Sequence, residues 1–165
     1  MYDKNAFLES MEAETRLCKH LHTKIDAVAL DYALGKNMRN TRELLGYLSA
    51  AGVGPTEALV ANDWAGVGKH IERSKGVTLE SFPAAMDEQM AEVRKLVEPL
   101  TDADFDREAS FPWGGSARLG VALVDVPLKF LASYRLQLFC HIKASGQSGL
   151  DTFNAWLGMD RPAGM

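Results

Sequence analysis

Four long stretches of this chain place apolar residues every three or four positions. No stretch alternates apolar with polar for long enough to make a useful strand. Such spacing puts an apolar stripe along one side of a helix, and that stripe needs a partner surface. Helices packed on helices are the architecture this predicts. The first stretch runs from about Asn5 to Ala27, with Phe7, Met11, Cys18, Leu21 and Ile25 on one face. Glu14 falls on that face between Met11 and Cys18, and His22 lies at its edge.

The linker "DYALGKNMRN" ends the first helix, and "NTRE" opens the second with Asn40 as N-cap and Glu43 as its capping-box partner. This helix is expected over Thr41 to about Ala51, with Leu44, Tyr47, Leu48 and Ala51 on one side. "GVGP" predicts a stop, because Gly52 and Gly54 favour a C-terminal turn and Pro55 cannot continue the ladder. Residues 55–77 read as a long connection with short helices around "TEALVAND" and "AGVGKHIERS". The third helix starts near Thr78 or Ser81 and reaches Val97, with Phe82, Met86, Met90, Val93 and Val97 as its seam and Pro83 in its first turn. "EPLTDADFDREASFPWGGS" reads as a loop. The last helix runs from Val121 or Val126 to Ala144, and Pro127 either starts or kinks it. A short amphipathic turn follows, with Phe153, Trp156 and Leu157 as expected anchors. The prediction is an all-α four-helix bundle with a long crossover between helices 2 and 3, one domain over residues 1–165.

A net charge of -4 argues against a nucleic-acid partner, which would need a basic surface. The N-terminus lacks a signal-peptide layout. No run approaches the roughly 18 apolar residues of a membrane span, so no membrane partner is expected and the cytoplasm is the default location. Two cysteines, Cys18 and Cys140, are too few for a disulfide framework and read as reduced and partly buried, although the sequence leaves a disulfide between them open.

On the last helix Phe130, Tyr134, Gln137 and His141 are spaced by four, three and four, and so share a face. Bundles build sites from inward side chains on facing helices. A small polar pocket lined by Tyr47, Tyr134, Gln137, Phe130, His141, Glu14 and His22 is therefore one reading. The other is plain core, since a Tyr fills apolar space while its hydroxyl finds a partner. His20 and His22 stand two apart, point in different directions and make poor co-ligands. His70 reads as a solvated residue, and Cys140 lacks a base placed to activate it. The Gly-rich pieces "GVGP" and "PWGGS" lack the strand, helix and Lys of a phosphate loop.

Three segments, "MRNTRELLGYLSAAG", "TLESFPAAMDEQMAEVRKLVEPLTDADFD" and "SYRLQLFCHIKASG", resemble in order and spacing the DinB/YfiT-like family of bacterial four-helix bundles. The tail "DTFNAWLG" resembles uncharacterised branches of the same superfamily. The resemblance implies a divalent metal held by three His, one in a "GHL"-like setting on the second helix and two in an "HxxxHRGQ"-like run on the last. Laid on this sequence, those positions carry Tyr47, Phe130 and Tyr134; Arg135 and Gln137 match the run, and Leu136 replaces its Gly. The ligand set is thus degenerate, and no metal or other cofactor is expected. The resemblance implies a metal-free bundle, a homodimer as in many members, that binds a small molecule or protein partner or acts as a pseudoenzyme. Trp64, Trp113 and Trp156 are candidates for the dimer contact if exposed. The alternative is a divalent-metal-dependent thiol transferase or hydrolase with other ligands, such as Glu14, His22 or His141.

Overall fold

The computed structural model describes residues 3–164. Helix α1 spans Lys4–His22, capped by the Asp3 carboxylate, which accepts from the Ala6 amide. It stops short of Ala27 because Asp26 starts a new short helix, α2 (Ala27–Leu30), by capping Ala29. Helix α3 spans Thr41–Ala51, and the predicted Asn40–Glu43 capping box is present in both directions.

Helix α3 ends at Ala51 as expected, but the C-terminal turn and the break at Pro55 expected from "GVGP" do not follow. Gly52 keeps right-handed helical dihedrals, and α4 (Val53–Ala61) carries on from α3, with Pro55 in its first turn where no donor is needed. Buried Gln89 makes this junction possible. Its Oε1 accepts from the amides of Gly52 at 2.8 Å and Val53 at 3.2 Å, and its Nε2 donates to the Leu48 carbonyl at 3.1 Å. A Cβ on Gly52 would lie 2.9 Å from the flexible end of Met11, at Cε, and 3.1 Å from Gln89 Oε1, so a larger residue would press on the amide that holds the junction. The continuous Thr41–Ala61 helix is long and apolar enough to cross a membrane by length and composition. However, 78% of its apolar window is buried within the protein, which accounts for the apolarity.

Helix α5 (Val67–Ser74) follows, then α6 (Phe82–Val97), whose five predicted seam residues are all buried. The segment predicted as a loop contains α7 (Asp102–Asp106) and a hairpin of β1 (Glu108–Ser110) and β2 (Ser116–Arg118), paired antiparallel with Ala109 opposite Ala117. Three-residue strands are too short to leave an alternation signal. Pro127 does not start the last helix but lies inside it. α8 (Leu119–Leu123) passes through a π-helical segment, Val124–Leu128, into α9 (Lys129–Ala144). The wider turn, in which the Lys129 amide reaches the Val124 carbonyl, absorbs the hydrogen bond that proline cannot make.

α1, the α3–α4 rod, α6 and the α8–α9 rod form the bundle. One apolar core runs from Phe7 through Leu44, Leu48, Met86, Val93 and Leu138 to Leu150. The architecture is all-α apart from the hairpin. In the tail, the π turn Phe153–Leu157 buries Asn154 and Ala155, whereas Trp156 is 60% and Leu157 55% exposed. These two are therefore not the expected anchors. Trp113 is also exposed, and Trp64 packs partly against the core while its Nε1 donates to the Ser110 carbonyl. Cys18, fully buried, and Cys140 are both free thiols.

Candidate functional site

α3 and α9 bring Tyr47 and Tyr134 together, with ring centroids 4.5 Å apart and planes inclined at 62°. Phe130, one turn earlier on α9, meets the Tyr134 ring edge-on at 6.4 Å. The Arg39 guanidinium, from the linker before α3, lies 4.1 Å from the Tyr47 centroid and 5.9 Å from that of Tyr134. Burial first, then the neighbouring Tyr134 phenol, pushes Tyr47 up to about 12 against the opposing pull of Arg39. Both chemistry and position make this phenol a neutral hydrogen-bonding group at physiological pH.

Two helical turns further along α9 from Tyr134, His141 is fully buried and satisfied at both ring nitrogens. Gln137 Nε2 donates to His141 Nε2 at 3.2 Å, which leaves the proton on Nδ1, facing Thr41 Oγ1 at 3.1 Å. Thr41 in turn donates to the Tyr32 carbonyl, and the Tyr32 ring meets His141 edge-on. A second proton on His141 would turn Nε2 into a donor facing a donor. Burial holds His141 below its ordinary value, and burial, followed by Lys24, does the same to His20, opposed by Asp160. The unfolded chain therefore takes up protons first on acidification. Stability is expected to fall as pH drops from about 6.5 towards the lower folded-state values of these two histidines. Thermal denaturation between neutral and mildly acidic pH checks this. His141→Gln should show a shallower decline, and an unchanged slope would exclude His141 as the source.

Tyr47 opens on a cavity of about 400 Å³ that is also lined by Arg39, Arg42, Glu43, Gly46, Ile71, Ser74, Lys75 and Val77. Gly46 forms its floor where α3 meets the end of α5: a Cβ there would sit 2.8 Å from the Ser74 carbonyl oxygen. Of the seven residues predicted from sequence, Tyr47, Phe130, Tyr134, Gln137 and His141 lie along this one α3–α9 seam. Glu14 and His22 do not join them. Glu14 pairs with Arg135 at 2.8 Å, and His22 Nε2 bonds the Leu79 carbonyl at 2.7 Å. Sequence reasoning missed Arg39, whose only sign was a cation immediately before the α3 cap.

A second cleft, about 450 Å³, surrounds His70. That residue is 4% exposed and not the solvated group expected from sequence. His70 Nε2 donates to Glu57, and Lys69 reaches Glu57 at 2.5 Å, so Lys69, then His70, hold that carboxyl below its ordinary range. Arg73 pairs with Glu92 across the same cleft at 2.5 Å. These charges answer one another and tie α4, α5 and α6 together. A third cleft, about 580 Å³, is lined by Asp3, Asp102, Asp106 and Asp125 with Phe105 and Leu128, and shares no residue with the tyrosine cluster.

No family model and no curated protein matches the sequence. Among solved structures, a crystal structure of the DinB-like protein YjoA from Bacillus subtilis superimposes with a TM-score of 0.67 over 94% of this chain and 99% of that one, at 13% identity. The fold is DinB-like. At that identity the likeness concerns the fold alone, and the DinB-like site must be judged on its own residues. The divalent metal that the resemblance implies does not fit them. Phe130 has no donor atom, a neutral tyrosine is a poor ligand, and Arg39 already places a cation over the two phenol rings. Among the described residues, no group of three His, Cys, Asp or Glu side chains is arranged to hold a metal ion. Gln137 serves His141, and Arg135 points to the opposite side of α9, towards α1.

Proposed function

We propose that this DinB-like bundle works without a metal and binds a small molecule at the Tyr47–Tyr134 seam. The observation that carries the reading is the packed trio Tyr47, Phe130 and Tyr134, open to a cavity at Tyr47 and roofed by Arg39. A cavity of about 400 Å³ lies within the usual size range of small-molecule sites. Ring faces and a phenol supply stacking and one directed hydrogen bond. A phenol that titrates near 12 is no base at neutral pH, which favours binding over catalysis at this position.

Metal analysis of the purified protein tests the reading. The expected result is no stoichiometric divalent ion and no chelator-sensitive change in melting temperature. The triple variant Tyr47→His, Phe130→His, Tyr134→His should gain a zinc- or nickel-dependent rise, worth about 2.7 kcal/mol at a metal concentration one hundred times Kd. A stoichiometric ion in the native protein, lost on replacing Tyr47 and Tyr134 by Phe, would overturn the proposal.

A further inference from the structure

We infer that the cavity beside Tyr47 takes a small carboxylate with a flat apolar body. This rests on the reading of that cavity as a binding site and specifies its ligand class. Three cations, Arg39, Arg42 and Lys75, line the cavity against one carboxylate, Glu43, in a chain whose net charge is -4. Glu43 is turned to the helix start, where its Oε2 accepts from the Asn40 amide at 2.9 Å. Lys75 is engaged by Glu72 at 2.5 Å, and the Arg42 Nε by Asp31 at 2.6 Å.

Arg39 differs from its neighbours. Among the described residues it makes no ion pair, and its guanidinium is held instead over the Tyr47 and Tyr134 rings. Cation–π contact fixes the position of a guanidinium without using its in-plane N–H donors, which stay available as a fork for a carboxylate. Arg42, three residues on, lines the same cavity. One guanidinium without a counter-charge suits a head group of single negative charge. The rest of the lining is Gly46, Ile71, Ser74, Val77 and Tyr47, and its two aliphatic side chains and phenol suit a flat apolar body better than a sugar or a peptide. The Tyr47 phenol, raised by burial and by the charge and hydrogen bond of Tyr134, brings no competing negative charge at physiological pH.

The test is a titration of uniformly ¹⁵N-labelled protein with benzoate and phenylacetate, with benzamide as the neutral isostere and benzylamine as the cation. The amides of Gly46, Ile71 and Val77 report on the cavity. The carboxylates should shift these amides at millimolar concentration and bind about tenfold more tightly than benzamide. Arg39→Gln, at an exposed linker position, should remove about that tenfold preference, so that the variant binds benzoate no more tightly than benzamide. Equal binding of benzoate and benzamide, or a preference for benzylamine, would overturn the ligand class and leave the binding site standing. If none of the four compounds moves the cavity amides, the binding-site reading falls with it.

Discussion

Replacing Arg135 by alanine should destabilise the fold by about 3–5 kcal/mol, the expected cost of stripping one partner from a buried ion pair. At about 2–4 °C per kcal/mol for a chain of this size, the melting temperature should fall by roughly 6–20 °C. Arg135 is 1% exposed, and its Nε and Nη2 grip Glu14 at 2.8 and 3.5 Å. Its Nη1 donates to the Ala155 carbonyl at 2.6 Å, and the guanidinium lies 4.9 Å from the centroid of the Trp156 ring. One side chain therefore joins α1, α9 and the tail. Without it, the Glu14 carboxylate and the Ala155 carbonyl lose their partner together, and the π turn loses its attachment. Differential scanning calorimetry would give the loss, and limited proteolysis should show cleavage near Trp156 before the bundle is cut. The double variant Glu14→Leu, Arg135→Met should recover most of the stability, because apolar groups of similar volume can replace a buried pair at little cost. An Arg135→Ala protein within about 1 kcal/mol of the native one would show that the pair is solvated in solution.

The second large effect is expected at Gln89. Its amide satisfies two backbone donors and one carbonyl at the α3–α4 junction, all buried. Each buried group left without a partner costs about 1–3 kcal/mol, so Gln89→Leu should lose about 3 kcal/mol after partial relaxation of the junction. Hydrogen exchange gives the sharper readout: the Gly52 and Val53 amides should lose protection well beyond the global change. If these two amides stay as protected as in the native protein, Gln89 does not hold the junction.

The four long helices were legible because their apolar spacing is local: Phe82, Met86, Met90, Val93 and Val97 fall on one face whatever they pack against. The Asn40–Glu43 cap was legible for the same reason, since both partners lie within one turn. The α3–α4 continuity was not, because the side chain that overrides the stop at Gly52 comes from Gln89, 37 residues away. His70 was misjudged in the same way: Glu57 and Glu92, the half-buried carboxylates that face it, lie on α4 and α6. In the tail, the Trp and Leu that look like anchors lie outside, because the Ala155 carbonyl is drawn in by Arg135 and Asn154 bonds His20 and the chain end. Local pattern identifies which residues are apolar; it does not identify which polar group will be satisfied by a distant one.

The candidate site divides along the same line. From the sequence alone came the bundle, the shared face of Phe130, Tyr134, Gln137 and His141, and the expectation that Tyr47, Phe130 and Tyr134 stand where the resemblance implies three His. Each of these follows from helical periodicity or from residue identity at a matched position. Only the tertiary structure brought Arg39 over both phenols, turned Glu14 and Arg135 to the far side of α9, and opened a cavity where Gly46 lets α3 and α5 approach. The reason is range: periodicity acts over one or two turns, whereas the pairing of charges and the shape of a cavity depend on which helices become neighbours.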